Sequence, residues 1–372
     1  MKNPLNKRLL RELRTEFGKY AVIFLFMVMT IGLESGDLVA SDSMIATCNQ
    51  RYEKYHVENG HFHLKQKMKD EAVNKIEKED VTVYPDFYVE RSYKGKDKKE
   101  KTLRIYESRD EINQLCIMDG SLPEKDNEIV IDRMFADNNK TKTGDILSID
   151  GKDYTVSGLV SFSDYTTMFQ NNSDMMFDSV NFGVAMGTKS EFESLSDRNL
   201  TYNYAWTYNA GDPADDMEEK KWSDDLLEMV VDAAGEGGGA TALGSMLGVL
   251  NMDNGIDDYV PRYTNQAMNF AGDDLGSDRG SMLAFLYILI AVLAFIFGVT
   301  ISHTITKEAT VIGTLRASGY TRGELFRHYI SMPIIVTLLA ALVGNILGYT
   351  YMKGVIADLY YSSYSLPKYE TL

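Results

Sequence analysis

The sequence is poor in the residues that most often announce a chemical function. It has two cysteines, two tryptophans, seven prolines and five histidines in 372 residues. Cys48 and Cys116 make neither a disulfide framework nor a metal motif. They can pair with each other outside the cytoplasm or remain two thiols. The closest histidines, His61 and His63, stand two residues apart, which suits one face of a strand better than a zinc site. There is no phosphate loop, no GxSxG and no HExxH. The glycine cluster at 235–239 lacks the Lys-Ser/Thr that a phosphate loop needs. Paired acids such as Asp215-Asp216 and Asp273-Asp274 are what chance supplies in a chain with 54 Asp and Glu. No catalytic residue, metal ligand or cofactor is therefore assigned. A formal net charge of −16 argues against a nucleic-acid partner.

The chain is not uniformly polar, although its mean hydropathy is only −0.23. Residues 20–33, YAVIFLFMVMTIGL, form a first apolar run, extendable to 40 by its flanks. A cleaved signal peptide is the alternative for this run. The preceding segment speaks for a span instead. Asn3-Pro4 can start a helix, and Leu5, Leu9, Leu13 and Phe17 recur every four residues between basic ones. Residues 282–302 are apolar and uncharged, long enough to cross a bilayer. A third run covers 329–352, with Pro333 near its start. It carries Ala340, Gly344 and Gly348 at four-residue spacing, which lets another helix approach closely in lipid.

Lys and Arg assign the sides. The segments before the first run and between the second and third carry ten basic residues against four acidic ones. That leaves 28 basic and 50 acidic residues elsewhere, a net of −22. The basic segments are expected in the cytoplasm and the acidic bulk outside. The expected order is a cytoplasmic amphipathic helix at 1–19, a span at 20–40, an extracytoplasmic α+β domain at 41–280 and a span at 282–303. A cytoplasmic loop at 304–328, a span at 329–352 and an extracytoplasmic tail at 353–372 follow.

Within the large domain, residues 81–91 alternate as a strand, and 94–101 (KGKDKKEK) read as a solvated turn. Residues 128–132, 145–149 and 154–160 read as strands, the last two joined through Asp150-Gly151, a tight-hairpin signal. Further strands are expected near 182–186 and 202–207. Residues 272–280 read as a polar linker leading back to the membrane. No parallel βαβ alternation is evident, so the class is α+β.

The loop at 304–328, TITKEATVIGTLRASGYTRGELFRH, is the most specific feature. Ala309, Ile312 and Leu315 recur at helical spacing, with Lys307, Glu308 and Arg316 off the apolar face. Gly319 suits the position just past a helix end. Thr321 and Glu324 make a capping box for the next helix.

The order of span, large domain, span, loop and span, with Lys307, Glu308, Ile312, Gly313, Leu315, Arg316, Ala317, Gly319 and Tyr320 in the loop, resembles the FtsX/MacB-like ABC transporter permeases. Residues 127–160 resemble that family's periplasmic core domain. The resemblance implies a membrane-bound permease, dimeric or paired with a second half, working with a separate cytoplasmic ABC ATPase subunit. It implies that the loop receives the ATPase stroke and that motion reaches the outer domain, for export or mechanotransmission. The family fold has four spans and this sequence shows three, so the chain is expected to be the N-terminal part of a longer permease. A membrane-anchored sensor or binding module, for instance one regulating cell-wall hydrolases, is the competing expectation.

Overall fold

A computed structural model describes residues 11, 14–78, 80–195, 200–234 and 256–371. The expected break at 235–239 and the apolar stretch after it lie outside the described residues. In chain order the elements begin with α1 (Phe17–Lys54), β1 (Gly60–Leu64), α2 (Asp70–Glu77), β2 (Val81–Pro85), β3 (Tyr88–Lys94), β4 (Glu100–Tyr106) and β5 (Leu115–Gly120). Then come β6 (Glu128–Asp132), α3 (Arg133–Asn138), β7 (Ile146–Ile149), β8 (Lys152–Phe162), β9 (Phe182–Gly187), α4 (Lys189–Leu195), β10 (Leu200–Tyr208), α5 (Asp216–Ala234) and β11 (Ile256–Pro261). The rest is helical: α6 (Gln266–Lys307), α7 (Ala309–Ala317), α8 (Arg322–Leu347), a π turn at Gly348–Met352 and α9 (Lys353–Ser363).

Two compact units emerge. One comprises residues 1–44, 275–360 and 371–372; the other comprises 45–274 and 361–370. In the first, three helices are long and apolar enough to cross a membrane: Phe17–Lys54, Gln266–Lys307 and Arg322–Ser363. Ile23, Met27 and Val28 of α1 bury themselves with Val336 and Ala340 of α8, and Leu293, Ile296 and Phe297 of α6 pack against the cluster. Glycine makes this approach possible. A Cβ on Gly344 would lie 2.9 Å from the Ile31 side chain, and one on Gly348 would lie 2.8 Å from the Gly32 carbonyl. Residues 272–280, read as a linker, are instead the early part of α6. No proline interrupts them, and the Asn265 side chain accepts the Met268 N–H at 3.3 Å. Helix continuation from the apolar run outweighs a cost of about 1 kcal/mol per glycine.

The second unit is built on an eleven-stranded mixed sheet, ordered β11-β1-β10-β3-β4-β9-β6-β8-β5, with β2 on β10 and β7 bridging β3 and β8. β7 and β8 form the expected hairpin, turning on Asp150 (φ 50°) and Gly151 (φ 80°) as a type I′ turn requires. β3 and β4 pair from Tyr88↔Tyr106 to Lys94↔Glu100, so 94–101 holds a hairpin tip. One expectation fails. The run 81–91 is two strands, because Pro85 has no N–H to extend a ladder and Asp86 turns inward. The sheet is mixed within the α+β class: β6 and β8 are parallel around α3, and β4 pairs parallel with β9. The crossover is short and contains the β7 hairpin strand, so no simple βαβ alternation marks it.

One core lies over β1, β2, β10 and β11, where Phe62, Tyr204 and Trp206 meet Leu226 and Val230 of α5. A second joins Phe135 and Ala136 of α3 to Ile105, Ile131 and Tyr154. A third sets Tyr106 and Phe162 against Tyr165, Met168 and Phe169 of the loop after β8.

Candidate functional site

The connector between α6 and α8 folds as its sequence dictates. α7 ends in a Schellman motif: the Tyr320 N–H reaches the Leu315 carbonyl at 3.2 Å, and the Gly319 N–H reaches Arg316 at 3.1 Å. Gly319 sits at φ 97°, where a Cβ would be strained. Two residues on, Thr321 accepts from the Glu324 N–H at 3.2 Å. The Thr321 N–H donates to Glu324 Oε2 at 2.8 Å, closing the capping box. The entry is tied as well. Lys307 pairs with Glu16 at 2.6 Å, and the Tyr329 hydroxyl donates to Glu308 at 2.5 Å. α7 itself buries no residue. Val311 is exposed, Ile312 and Leu315 are half-buried, and Ala317 and Arg316 are exposed. A Cβ on Gly313 would meet nothing within 4 Å. Ile301, Ile305, Ile312, Leu325, Phe326 and Ile330 line a 380 Å³ apolar hollow beside α7, flanked by Arg316 and Arg322.

Residue by residue, the expected loop positions fall into two groups. Lys307, Glu308, Gly319, Thr321 and Glu324 hold the connector's shape. Ile312, Gly313, Leu315, Arg316 and Ala317 form its presented surface, with Tyr320 half-buried at the corner. Ala340, Gly344 and Gly348 lie in the α1–α8 packing seam described above.

A second feature, in the α+β unit, has no counterpart in the sequence analysis. A cleft of 510 Å³ opens where β1 and β11 face the loop after β8. Arg104, Asp164 and His61 of its lining belong to a buried ionic network. Arg109 binds Asp86 through two bonds of 2.9 and 2.7 Å, binds Asp164 at 2.8 Å, and lies 3.6 Å over the Tyr106 ring. Arg104 forks onto Glu90 at 3.0 and 2.6 Å, donates to the Tyr165 hydroxyl at 2.7 Å, and lies 4.3 Å over Tyr88. Burial pushes the Asp164 carboxyl up to about 6, with Arg109 pulling the other way. The His61 Nδ1–H donates to the Glu58 carboxylate, 2.5 Å away, and Asn113 donates to the other Glu58 oxygen at 2.7 Å. Burial works against a charged His61, but the Glu58 carboxylate outweighs it and raises the imidazole above its ordinary value. His63 stacks on His61 at 5.2 Å. Burial first, then His61 and Arg104, drive its ring well below the ordinary range, so it is neutral.

Only the His61–His63 spacing could have hinted at this cleft. Its ion pairs join residues as remote in the chain as Lys65 and Asp257, and no local pattern records such partners. No group of three or more His, Cys, Asp or Glu among the described residues could hold a metal ion. Cys48 and Cys116 are buried free thiols, not a disulfide.

Residues 283–369 match the family described as FtsX-like permease C-terminal. The extracellular domain of the noncanonic ABC-type transporter YknZ from Gram-positive bacteria is similar at 13% identity, with a TM-score of 0.28, over 46% of this chain and 92% of that one. The periplasmic region of MacB from Actinobacillus actinomycetemcomitans is similar at 12% identity, with a TM-score of 0.29, over 55% of this chain and 99% of that one. No curated protein matches.

Proposed function

Proceeding from a chain whose C-terminal region matches the FtsX-like permease family, we propose that it is the permease subunit of an ABC-type transporter and couples to a cytoplasmic ATPase through α7. The observation that carries this is the presentation of α7. Its two ends are fixed by a Schellman motif, a capping box and the Glu308–Tyr329 bond. Its middle turns Val311, Gly313 and Arg316 outward. A helical glycine costs about 1 kcal/mol relative to alanine, and no close approach by another of the described residues offsets that at Gly313. A partner surface approaching closely there would. Basic residues around this loop and before α1 favour the cytoplasmic side for both, which in this reading leaves the acidic α+β unit outside.

In this reading the ATPase cycle moves α7, and the motion reaches the outer unit without a substrate having to cross the bilayer. A second copy or a second half would complete the membrane part. α6 favours this: Phe285, Tyr287, Ile288, Phe295 and Val299 are all exposed, and none of its most apolar stretch is buried. Co-purification with an ATP-binding-cassette subunit tests the proposal. Gly313→Asp and Leu315→Glu are expected to abolish the complex while leaving the helical circular-dichroism signal intact. Undiminished co-purification of both variants would sink the idea. A ligand-sensing role for the outer unit, with the helices as anchors, is favoured by one observation, the polar cleft. Ligand binding that is indifferent to ATPase and ATP would select it.

A further inference from the structure

The cleft in the α+β unit has a specific set of unused bonding groups. Its cations are spent. Arg104 is forked onto Glu90 and further bonded to Tyr165 and the Gln170 carbonyl, and His61 is held by Glu58. Unengaged or weakly engaged acceptors also line the cleft. Asn203 is 2% exposed, lines the cleft, and donates to Asp86 at 3.4 Å. Its Oδ1 is buried without a hydrogen-bond partner among the described residues. A buried amide oxygen left so costs about 1–3 kcal/mol, and a ligand N–H would satisfy it. No hydrogen bond engages the His63 ring among the described residues, and a neutral imidazole offers a nitrogen lone pair. At the mouth, Asp257 pairs with Lys65, 3.8 Å away, and Asp258 accepts from the Tyr259 N–H at 2.9 Å. The walls between are aromatic: Tyr88, Tyr106, Tyr165 and Phe169.

Acceptors at the floor, carboxylates at the mouth and ring faces between them select one ligand chemistry. We propose that this cleft binds a small organic cation, a primary ammonium or guanidinium group carried on a short apolar stem. The charged end meets Asp257 and Asp258, the stem lies along the tyrosine rings, and an N–H of the ligand reaches Asn203. Cation–π attraction adds to the carboxylate pairing, since cations settle over tyrosine faces. The volume of 510 Å³ falls within the usual range for small-molecule sites. Such a group can come from a free amine or from a basic side chain of a peptide.

The test is calorimetric titration of the full chain in lipid nanodiscs. The probes are agmatine for the free amine and Nα-acetyl-lysine amide for the side chain, with glutarate and pentanol as anionic and neutral controls. Agmatine or the lysine amide is expected to bind, and neither control is. Whichever cation binds tighter assigns the source. Asp257→Asn/Asp258→Asn is expected to weaken binding at least tenfold with the unfolding transition unchanged. Asn203→Leu is expected to weaken it independently. Glu124→Gln/Asp153→Asn, which removes exposed acids away from the cleft, is expected to leave it unchanged. Absence of binding by both cations at millimolar concentration would overturn the proposal. So would equal binding by Asp257→Asn/Asp258→Asn, equal binding of glutarate, or equal weakening in the distant double variant.

Discussion

Arg109 holds two carboxylates at once, Asp86 and Asp164, and all three are almost fully buried. Removing the guanidinium leaves two uncompensated acids in the interior, so Arg109→Met is expected to cost about 3–5 kcal/mol in denaturant unfolding. A loss below about 1 kcal/mol would show that the acids simply take up protons. Asp132 makes a pH prediction. Burial pushes its carboxyl up to about 6, although Ser365 and the Phe135 N–H favour its charge. The folded chain thus binds this proton more tightly than the unfolded one. The stability it contributes is full below the ordinary aspartate value and is lost as pH rises through about 6. Over that range the loss amounts to about 3 kcal/mol. Asp132→Asn keeps a cap and loses the charge, so its stability is expected to fall less than the wild type's between pH 4 and 7. Parallel pH profiles for the two proteins would contradict this. None of these acids was legible in the sequence, because their partners come from remote strands. Gly319, Thr321 and Glu324 were legible, because a helix end is written within six residues.

At the scale of elements, α7 and α8 were readable from spacing and caps, and the glycine seam from its four-residue rhythm. Thr321→Ala removes one reciprocal bond of the capping box and is expected to cost about 1 kcal/mol. Faster amide exchange confined to the first turn of α8 would register it. Gly348→Val forces a side chain to within 2.8 Å of the Gly32 carbonyl. Overpacking of this kind costs about 1–3 kcal/mol, and the expected readout is a lower melting temperature in detergent. Gly298→Ala in α6, where a Cβ meets nothing within 4 Å, is the matched control. The 272–280 stretch misled because glycine and aspartate are loop residues on average. Here they sit between a side-chain cap and a long apolar helix, and continuity decided the outcome.

For the molecule as a whole, the segregation of apolar runs from a charged middle showed that helices and an α+β unit would be separate. The strand order did not follow. A path running β11-β1-β10-β3-β4-β9-β6-β8-β5 is set by side-chain burial between distant segments. Trp206, buried completely between Phe62 and Tyr259, anchors the sheet's outer part. Trp206→Ala is expected to cost about 3–5 kcal/mol, read as an earlier unfolding transition. A change under about 1 kcal/mol would mean that part is not cooperative with the rest.

The α+β unit is not finished by its own continuous stretch. Ser365 and Leu366 are fully buried in it; Ser365 bonds Asp132, accepts from Ser161 at 2.9 Å and donates to Thr166 at 2.9 Å. Arg133 donates to the Tyr361 and Tyr364 carbonyls at 2.7 Å each. On the ribosome, residue 274 therefore precedes the last piece of its own domain by nearly ninety codons. At about 5–20 residues per second that is a wait of roughly 4–18 s. During it the slot beside Asp132 stands open while two apolar helices are still being made. Closure of the α+β unit around Asp132 therefore waits on the synthesis of both long apolar helices that precede residues 361–370.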